Sequence, residues 1–372
     1  MKFLIAGDFV ITENFKDKDL LSREIIDLFN KADFRIINLE APVTDCKSKI
    51  IKTGPHLKSN RDLTRQTLLN LNTNLVTLAN NHVLDYDEKG VLDTLNFCRK
   101  NNIETVGAGK NKMEASKVFY LNDKNCKVAI INIAENEWAS ATSEKAGANG
   151  MNLIDNIKQI QKAKKENDLV FVIVHGGHEY YNLPSPRTQK QYKFYIDNGA
   201  DLVVGHHTHC ISGMEIYNSK PIYYSLGNFM FTKQSKHNDW YQGLILEVEI
   251  KNNNIQTKVH PIGQSKDNFK LSLLKGDEKK AINDRFLTYN AIIKDEQELN
   301  NEWNKYIDVK FNTYLNYLSP LNFISNNLFK AFANKLGIKM INRQCMALLL
   351  NLLRCEAHLD ISKKTIKKYL SK

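Results

Sequence analysis

The chain contains few of the residues that characterise small secreted, fibrous or disordered proteins. Its 372 residues include only seven prolines, 17 glycines and six cysteines. The cysteines never form a Cys-x-x-Cys pair, and a chain of this length does not need a disulfide framework to fold. We therefore expect reduced thiols at positions 46, 98, 126, 210, 345 and 355.

The sequence also lacks long apolar runs. None approaches the roughly 20 residues that a membrane-spanning helix requires. The N-terminus offers Lys2 and a four-residue apolar run at 3–6 before Gly7 and Asp8, which is too short for the apolar region of a signal peptide. We therefore predict no transmembrane segment and a cytoplasmic location.

The formal net charge of +11 has two interpretations. Clustered Lys and Arg would attract a polyanionic partner. Here, however, the basic residues are spread along the whole chain, which is more typical of a solvated surface. Because no module of interleaved basic and aromatic residues is present, we expect no nucleic-acid partner.

The composition, 42% hydrophobic and 25% charged, is that of an ordinary globular protein. Short β-rich runs alternate with helical stretches up to about residue 265, which is typical of an α/β fold. Beyond residue 280 helical spacing predominates. We predict an α/β domain over 1–265 and a helical appendage over 280–372. The helices predicted in the appendage span 286–294, 298–317, 321–336 and 341–358.

Polar residues suited to chemistry stand at the ends of several predicted strands. Open α/β sheets bind their ligands at the carboxyl ends of the strands. We therefore expect these polar residues to converge in one site. In chain order, they are Asp8, Glu40, Asn81 with His82, His175, and the histidines within 206–209.

Three histidines stand within residues 206–209, directly after a buried strand. Three imidazoles in such a turn favour a metal site over histidines packed in a core. His175 follows another strongly apolar strand and is interpreted as a further ligand. His178 and Glu179, just beyond it, are either residues that fix an imidazole tautomer or residues at the rim of the site.

The Asn80-Asn81-His82 segment, with Asp85 close behind, has two interpretations. It could form only an Asx-turn that closes a strand, because Asn tolerates such backbone conformations. Alternatively, the amide oxygen of Asn81 could bind a metal ion, and His82 could protonate a leaving group.

Asp8 and Glu40 also have two interpretations. Each could cap a helix that begins after its strand. Carboxylates can instead bridge two cations that activate water for in-line attack. The ordered series of carboxylate, carboxylate, Asn-His, His and His-x-His is more specific than any single member, and it favours the two-metal interpretation.

With these residues identified, the chain resembles the CapA-like proteins of poly-γ-glutamate capsule biosynthesis, which share the calcineurin-like metallophosphoesterase fold. The resemblance covers residues 1 to about 265. It rests on Gly7-Asp8, Asn38-Leu39-Glu40-Ala41-Pro42, Leu78-Ala79-Asn80-Asn81-His82 with Asp85, Gly107-Ala108-Gly109, the run 199–209, Glu215, Tyr217, and Tyr224-Ser225-Leu226-Gly227-Asn228-Phe229.

The resemblance implies a four-layer α/β/β/α sandwich with one or two divalent metal ions, whether Mn, Fe or Zn, at the strand ends. His82 would be the acid, and His206 would be an alternative ligand or a supporting residue. The ligands it implies are Asp8, Glu40, Asn81, His175, His207 and His209. Further supporting or substrate-contacting residues would be Asn80, Asp85, His178, Glu179, Glu215 and Asn228.

This sequence departs from the phosphoesterase pattern at Val10, where most phosphoesterases have a histidine. One metal would therefore have one ligand fewer. The second acidic residue is Glu40 rather than Asp, as is common among CapA-like proteins.

The resemblance implies a role in making a bacterial cell-surface polymer, either poly-γ-glutamate or a polysaccharide, as a metal-dependent phosphoesterase-type hydrolase. The alternative is a non-catalytic assembly or export factor that binds a polymer end or a partner enzyme in the same cavity. We expect a polymer or a phosphorylated small molecule as substrate. A polymer-synthesis enzyme that contacts the C-terminal helices is a further possible partner.

Overall fold

The computed structural model describes residues 1–123, 126–318 and 343–370. The helix predicted at 321–336 lies outside these residues. In chain order, the strands are β1 (Lys2–Val10), β2 (Phe34–Leu39), β3 (Leu75–Thr77), β4 (Glu104–Val106), β5 (Ala108–Gly109), β6 (Phe119–Asp123), β7 (Cys126–Ala134), β8 (Gly147–Ala148), β9 (Leu169–His175), β10 (Leu202–His206), β11 (Met214–Tyr217), β12 (Lys220–Tyr223), β13 (Asn228–Phe231), β14 (Gln242–Lys251), β15 (Asn254–Gln264) and β16 (Leu271–Leu273).

The helices alternate with the strands in the first part of the chain and follow one another in the last part. In chain order, they are α1 (Arg23–Asn30), α2 (Arg61–Asn70), α3 (Asp87–Lys100), α4 (Lys112–Ala115), α5 (Leu153–Glu166), α6 (Pro186–Asp197), the 3-10 helix Asn238–Tyr241, α7 (Gly276–Lys294), α8 (Glu296–Leu318), α9 (Arg343–Arg354) and α10 (Glu356–Leu370).

Several helices begin at a residue whose side chain caps the first turn. The side chain of Asn60 accepts a hydrogen bond from the backbone of α2, and Asn152 does the same for α5. Ser185 caps α6, and Pro186 occupies the first helical position, where its missing N–H is not needed. Local side-chain chemistry therefore fixes where these helices start.

Two sheets form the centre of the protein. The first has the strand order β16-β15-β14-β1-β2-β3-β4, with β13 also paired to β1, and the second has the order β11-β12-β10-β9-β7-β6. Strands β1 to β4 run parallel to one another, as do β7, β9 and β10. Their carboxyl ends therefore meet at one edge of each sheet.

The alternation of side chains along β1 explains how the layers stack. Phe3 and Ile5 belong to the apolar cluster between the sheets, where the Phe3 ring meets Phe171 of β9 edge-on at 5.4 Å. Leu4 belongs to the cluster on the opposite face, together with Phe29 of α1. Successive residues of a strand face opposite sides of the sheet, so β1 contributes to both cores.

A third apolar cluster covers the outer face of the second sheet. It joins Val170 and Val172 of β9 to Ile160 of α5, Tyr192 of α6 and Trp303 of α8. The order of layers is therefore helix, sheet, sheet, helix. This arrangement confirms the predicted α/β/β/α sandwich.

The C-terminal helices pack on the second sheet. Ile293 of α7, Leu299 of α8, Leu352 of α9 and Ile361 of α10 lie in the same apolar cluster as the sheet. Cys355 interrupts the helix that was predicted over 341–358, so that α9 and α10 are separate helices. The division into a domain over 1–265 and an appendage over 280–372 stays a prediction.

A helix that crosses a bilayer must be both long and apolar. Within residues 1–123, 126–318 and 343–370, none of the helices is both long and apolar enough to cross a membrane.

Candidate metal centre

The two sheets bring six of the predicted site residues together. Glu40 belongs to two groups of potential ligands, within each of which the ligand atoms lie no more than 4.8 Å apart. One group consists of Glu40, Asp8 and His209, and the other of Glu40, His175 and His207. A carboxylate shared by two ligand groups suits a two-metal site.

In the second group the donor atoms point towards one another. His175 Nε2 lies 3.0 Å from Asn81 Oδ1, 3.1 Å from His207 Nδ1 and 3.6 Å from Glu40 Oε1. Asn81 thus belongs to this group through its amide oxygen. Two imidazole nitrogens, an amide oxygen and a carboxylate oxygen form a suitable donor set for a divalent metal ion.

The first group lies on the other side of Glu40. His209 Nδ1 lies 2.9 Å from Asn228 Oδ1 and 3.4 Å from Asp8 Oδ2, while Nε2 lies 3.7 Å from Glu40 Oε1. Val10 is fully buried in the apolar cluster that includes Phe29 of α1, and its hydrocarbon side chain has no donor atom to offer a metal ion. This group therefore has one potential ligand fewer than the second group with Asn81.

Glu40 is the residue that indicates most directly what the site binds. Its side chain is fully buried, and neither carboxylate oxygen has a hydrogen-bond partner among the described residues. An unpaired buried carboxylate is costly unless a cation balances it. The residues therefore fit one or two divalent cations, with Glu40 as the shared ligand.

The charges around Glu40 shift several pKa values. Burial and the neighbouring Asp8 raise the pKa of Glu40 well above 4.5. Burial alone would lower the pKa of His209, but the carboxylates of Glu40 and Asp8 outweigh it and raise this pKa to about 10. Burial and His207 lower the pKa of His175, which favours the neutral imidazole that binds a metal ion.

Asn38 holds two members of the centre in place and was missed by sequence reasoning. Its Nδ2 donates to Asp8 Oδ1 at 2.6 Å and lies 3.1 Å from His175 Nδ1. The Thr77 hydroxyl donates to Asn38 Oδ1 at 3.1 Å. Asn38 lies on β2, two residues before Glu40. This spacing was the available signal, because alternate residues of a strand share a face.

Glu137, also missed, lies behind the second group. Its Oε1 lies 3.5 Å from His207 Nε2, and its Oε2 accepts from Asn81 Nδ2 at 3.5 Å. The carboxylate thus favours the His207 tautomer with a lone pair on Nδ1, the atom that faces His175. Carboxylates commonly orient metal-bound imidazoles in this way.

The predicted acid, His82, lies in a separate polar cluster. Its Nδ1 is 2.7 Å from Asp85 Oδ2 and 3.2 Å from Lys52 Nζ, and Lys52 also forms an ion pair with Asp85. Burial and Lys52 lower the pKa of His82. With Nδ1 engaged by these partners, Nε2 is the ring atom left to exchange a proton.

The turn around His82 matches both sequence interpretations. The Asn80 side chain accepts from the backbone N–H of His82 at 3.1 Å, as in an Asx-turn, and donates to Leu39 O at 2.9 Å. The next residue, Asn81, faces His175 instead. The two asparagines therefore have different environments: Asn80 shapes the turn and Asn81 faces the potential metal ligands.

Three further predicted residues lie at different distances from this centre. His206 is paired with His175 in the sheet register, and its buried Nδ1 has no hydrogen-bond partner within the described part of the chain. Glu215 accepts from Gln189 and Tyr224, at 3.1 and 2.6 Å, near the edge of the second sheet. Asn228 contacts His209, as described above.

His178 and Glu179 line a cavity of about 530 Å³ between the metal centre and the C-terminal helices. His178 Nε2 lies 3.2 Å from Ala357 O of α10, and its ring lies 4.9 Å from that of Trp303. Glu179 is exposed. His207 also lines this cavity, which therefore gives access to the second ligand group.

Comparison with known sequences reveals similar proteins in several bacteria. The chain is 34% identical over 241 residues to the capsule biosynthesis protein CapA of Bacillus anthracis, covering 61% of this chain and 59% of CapA. It is 34% identical over 235 residues to the PGA biosynthesis protein CapA of Bacillus subtilis (strain 168), covering 61% of each. The chain thus spans about three fifths of these relatives.

Solved structures show only distant likenesses. A hypothetical protein from Thermus thermophilus matches with a TM-score of 0.46 and 13% identity, covering 74% of this chain and 100% of that one. A novel phosphatase of Mycoplasma pneumoniae matches with a TM-score of 0.44 and 14% identity, covering 72% and 95%.

The family model described as "Bacterial capsule synthesis protein PGA_cap" matches residues 2–233. This span exceeds half of the chain and includes every residue of the two ligand groups. The chain therefore belongs to the bacterial capsule synthesis protein PGA_cap family.

Proposed function

We propose that this protein is a divalent-metal-dependent, phosphoesterase-type hydrolase that acts in the synthesis of a bacterial cell-surface polymer. Membership of the capsule synthesis family supports the biological role. The observation on which the hydrolase proposal rests is Glu40, a buried carboxylate without hydrogen-bond partners among the described residues that belongs to two ligand groups.

The residues of the chain would divide the work between holding cations and moving a proton. Asp8, Glu40 and His209 would hold one cation, and Glu40 with Asn81, His175 and His207 would hold the other. The cations would supply Lewis acidity and lower the pKa of water. The ligands are buried, and His207 lines the cavity of about 530 Å³ through which substrate and water would enter.

His82 would deliver the proton to the leaving group. Asp85 fixes its ring through Nδ1, so that the opposite nitrogen is free for proton transfer. The lowered pKa makes the His82 imidazolium a stronger acid, although a smaller fraction is protonated at neutral pH. Lys52 keeps Asp85 paired, so Asp85 remains an acceptor throughout.

The proposed substrates are a phosphoester or an acyl-phosphate or amide linkage formed during synthesis of poly-γ-glutamate or a polysaccharide. The first two relatives are named for capsule and PGA biosynthesis. Each is matched over about three fifths of its length, so the polymer assignment is a proposal for this chain.

Metal content and hydrolysis test this proposal together. Protein loaded with Mn²⁺ is expected to hold up to two ions per chain and to hydrolyse bis(p-nitrophenyl) phosphate. His82→Ala should lose turnover but keep its metal, whereas Asn81→Ala combined with His207→Ala should lose both. His237→Ala, which alters an exposed histidine, is the matched control. Hydrolysis that survives in the double variant would refute the assignment.

A non-catalytic assembly factor is the second candidate, and Val10 favours it. The first ligand group has one fewer potential ligand because a buried valine stands where most phosphoesterases have a histidine. A protein that binds one cation could use the same cavity to hold a polymer end. This candidate predicts one ion per chain, no turnover of phosphodiesters, and loss of surface polymer when the His207 ligand is removed.

A further inference from the structure

We propose that Glu137, Cys355 and His358 form a third cation site, which binds a zinc-type ion. This site is distinct from the two ligand groups that share Glu40, and it joins the C-terminal helices to the loop beside the metal centre. The potential ligand atoms of these three residues lie within 4.8 Å of one another. Glu137 is more than 200 positions away from the other two residues in the sequence, so the folded structure brings it to them.

The two C-terminal members of this site are spaced as ligands on a helix. Cys355 immediately precedes α10, and its carbonyl accepts a hydrogen bond from the backbone of Leu359 at 2.8 Å. His358 follows three residues after Cys355, so both side chains lie on one face of the first helical turn. Glu137 approaches that face from the loop after β7.

A hydrogen bond already selects the nitrogen that His358 can offer. Tyr314 OH lies 3.0 Å from His358 Nδ1, so Nε2 is the nitrogen left for a cation. A partner on the opposite ring nitrogen is what normally fixes the tautomer of a metal-bound histidine.

Cys355 is fully buried, and burial raises the pKa of its thiol, although the backbone N–H of His358 opposes this rise. On binding, the ion would replace the thiol proton, which passes to solvent, and the thiolate would be neutralised by the cation. The N-terminus of α10 also favours negative charge at this position.

An independent observation at the same place is the side chain of Asn351. It is 4% exposed, and its Oδ1 has no hydrogen-bond partner within the described ranges. Asn351 lines the same cavity as Glu137 and His358, so its oxygen is a fourth potential donor. Arg354 lies over the Trp138 ring at 4.4 Å; burial lowers the pKa of its guanidinium, and the charge of Glu137 opposes this change.

The ligand types identify the class of ion. A thiolate, an imidazole and a carboxylate suit the borderline-soft zinc ion. The two groups that share Glu40 contain only oxygen and nitrogen donors. The two kinds of site should therefore differ in their metal preference and in their spectra.

Cobalt substitution tests the proposal. Metal-free full-length protein titrated with Co²⁺ should develop the near-ultraviolet charge-transfer absorption of a cobalt–thiolate bond. Cys355→Ser should abolish this absorption, while Cys46→Ser, which alters a half-buried cysteine elsewhere, should leave it unchanged. His358→Gln should weaken cobalt binding at this site by about 10-fold or more.

Asp8→Asn separates this proposal from the proposed function. It removes a ligand of the centre that shares Glu40 but should leave the thiolate absorption intact. Circular dichroism of each variant checks that it is folded, and His358→Gln provides a second test if Cys355→Ser does not fold. A wild-type protein without thiolate absorption, or an absorption that persists in Cys355→Ser, would overturn the third site.

Discussion

In protein stripped of metal by a chelator, His209 should make the free energy of unfolding fall as pH rises above 6.5. The pKa of His209 is about 10 in the folded protein, compared with 6.5 ordinarily. The folded state thus holds a proton that the unfolded state has released. This contribution is fully present below pH 6.5 and is lost as pH rises through 10. At about 1.4 kcal/mol per pKa unit, it is on the order of 5 kcal/mol.

Glu40 is coupled to His209, because its ionised carboxylate is one of the groups that raise the His209 pKa. Burial and Asp8 raise the pKa of Glu40 itself well above 4.5. The two groups therefore make one joint contribution to stability, which is lost as pH rises. Metal-free stability should therefore fall between pH 6.5 and 10, where many proteins change little.

Bound metal should reverse part of this loss. A cation must displace the proton of His209, so its binding strengthens as pH rises. A free ion at 100 times its dissociation constant stabilises the fold by about 2.7 kcal/mol. The difference in melting temperature between metal-loaded and chelated protein should consequently widen with pH.

Thermal unfolding between pH 6.5 and 10, with chelator or with Mn²⁺, measures both effects. His209→Gln should flatten the pH profile of the chelated protein, whereas His237→Gln, at an exposed position, should leave it as in the wild type. A flat wild-type profile, or one that His209→Gln does not alter, would show that the Asp8–His209–Glu40 charge cluster is wrongly described.

Three further substitutions test other parts of the structure. Asp85→Asn should lower phosphodiester turnover about 100-fold without changing metal content, because it releases His82; a parallel loss of metal would contradict this role. Glu137→Gln, made in the Cys355→Ser background so that the third site does not contribute, should weaken Mn²⁺ binding about 10-fold, measured by competition with a chelator, and unchanged affinity would show that Glu137 does not position His207. Arg187→Met removes the partner of buried Glu135 and should cost on the order of 3 kcal/mol in denaturant unfolding; a cost below about 0.5 kcal/mol would mean that the pair is solvated.

The convergence of the six predicted metal ligands could be predicted from the sequence because each lies in or beside a strand of parallel orientation. Asp8 differs slightly from expectation: it lies inside β1, at a shift in register with β2, rather than after the strand. Neither Asp8 nor Glu40 caps a helix, since the next helices begin at Arg23 and Arg61. Geometry therefore favours the carboxylate-bridging interpretation.

Residues outside such motifs could not be predicted in the same way. Lys52 is one of 52 basic residues in the chain, and only the folded loop places it beside His82. Glu137 lies in a loop whose sequence has no characteristic spacing. The start of α6, by contrast, has a local signal in the sequence, because Ser185 caps it and Pro186 follows at the first helical position.

The distribution of the potential metal ligands between the two sheets has a consequence for the folding pathway. Asp8, Glu40 and Asn81 come from the first sheet, and the three histidines come from the second, so that 199 positions separate Asp8 from His207. Contacts between such distant segments form slowly, because the chain loses the entropy of closing a long loop before the stabilising contacts form. All of these residues could therefore bind a cation only after the sheets have docked. A cation would then slow unfolding more than it accelerates refolding, and it would protect the finished fold without guiding the chain towards it.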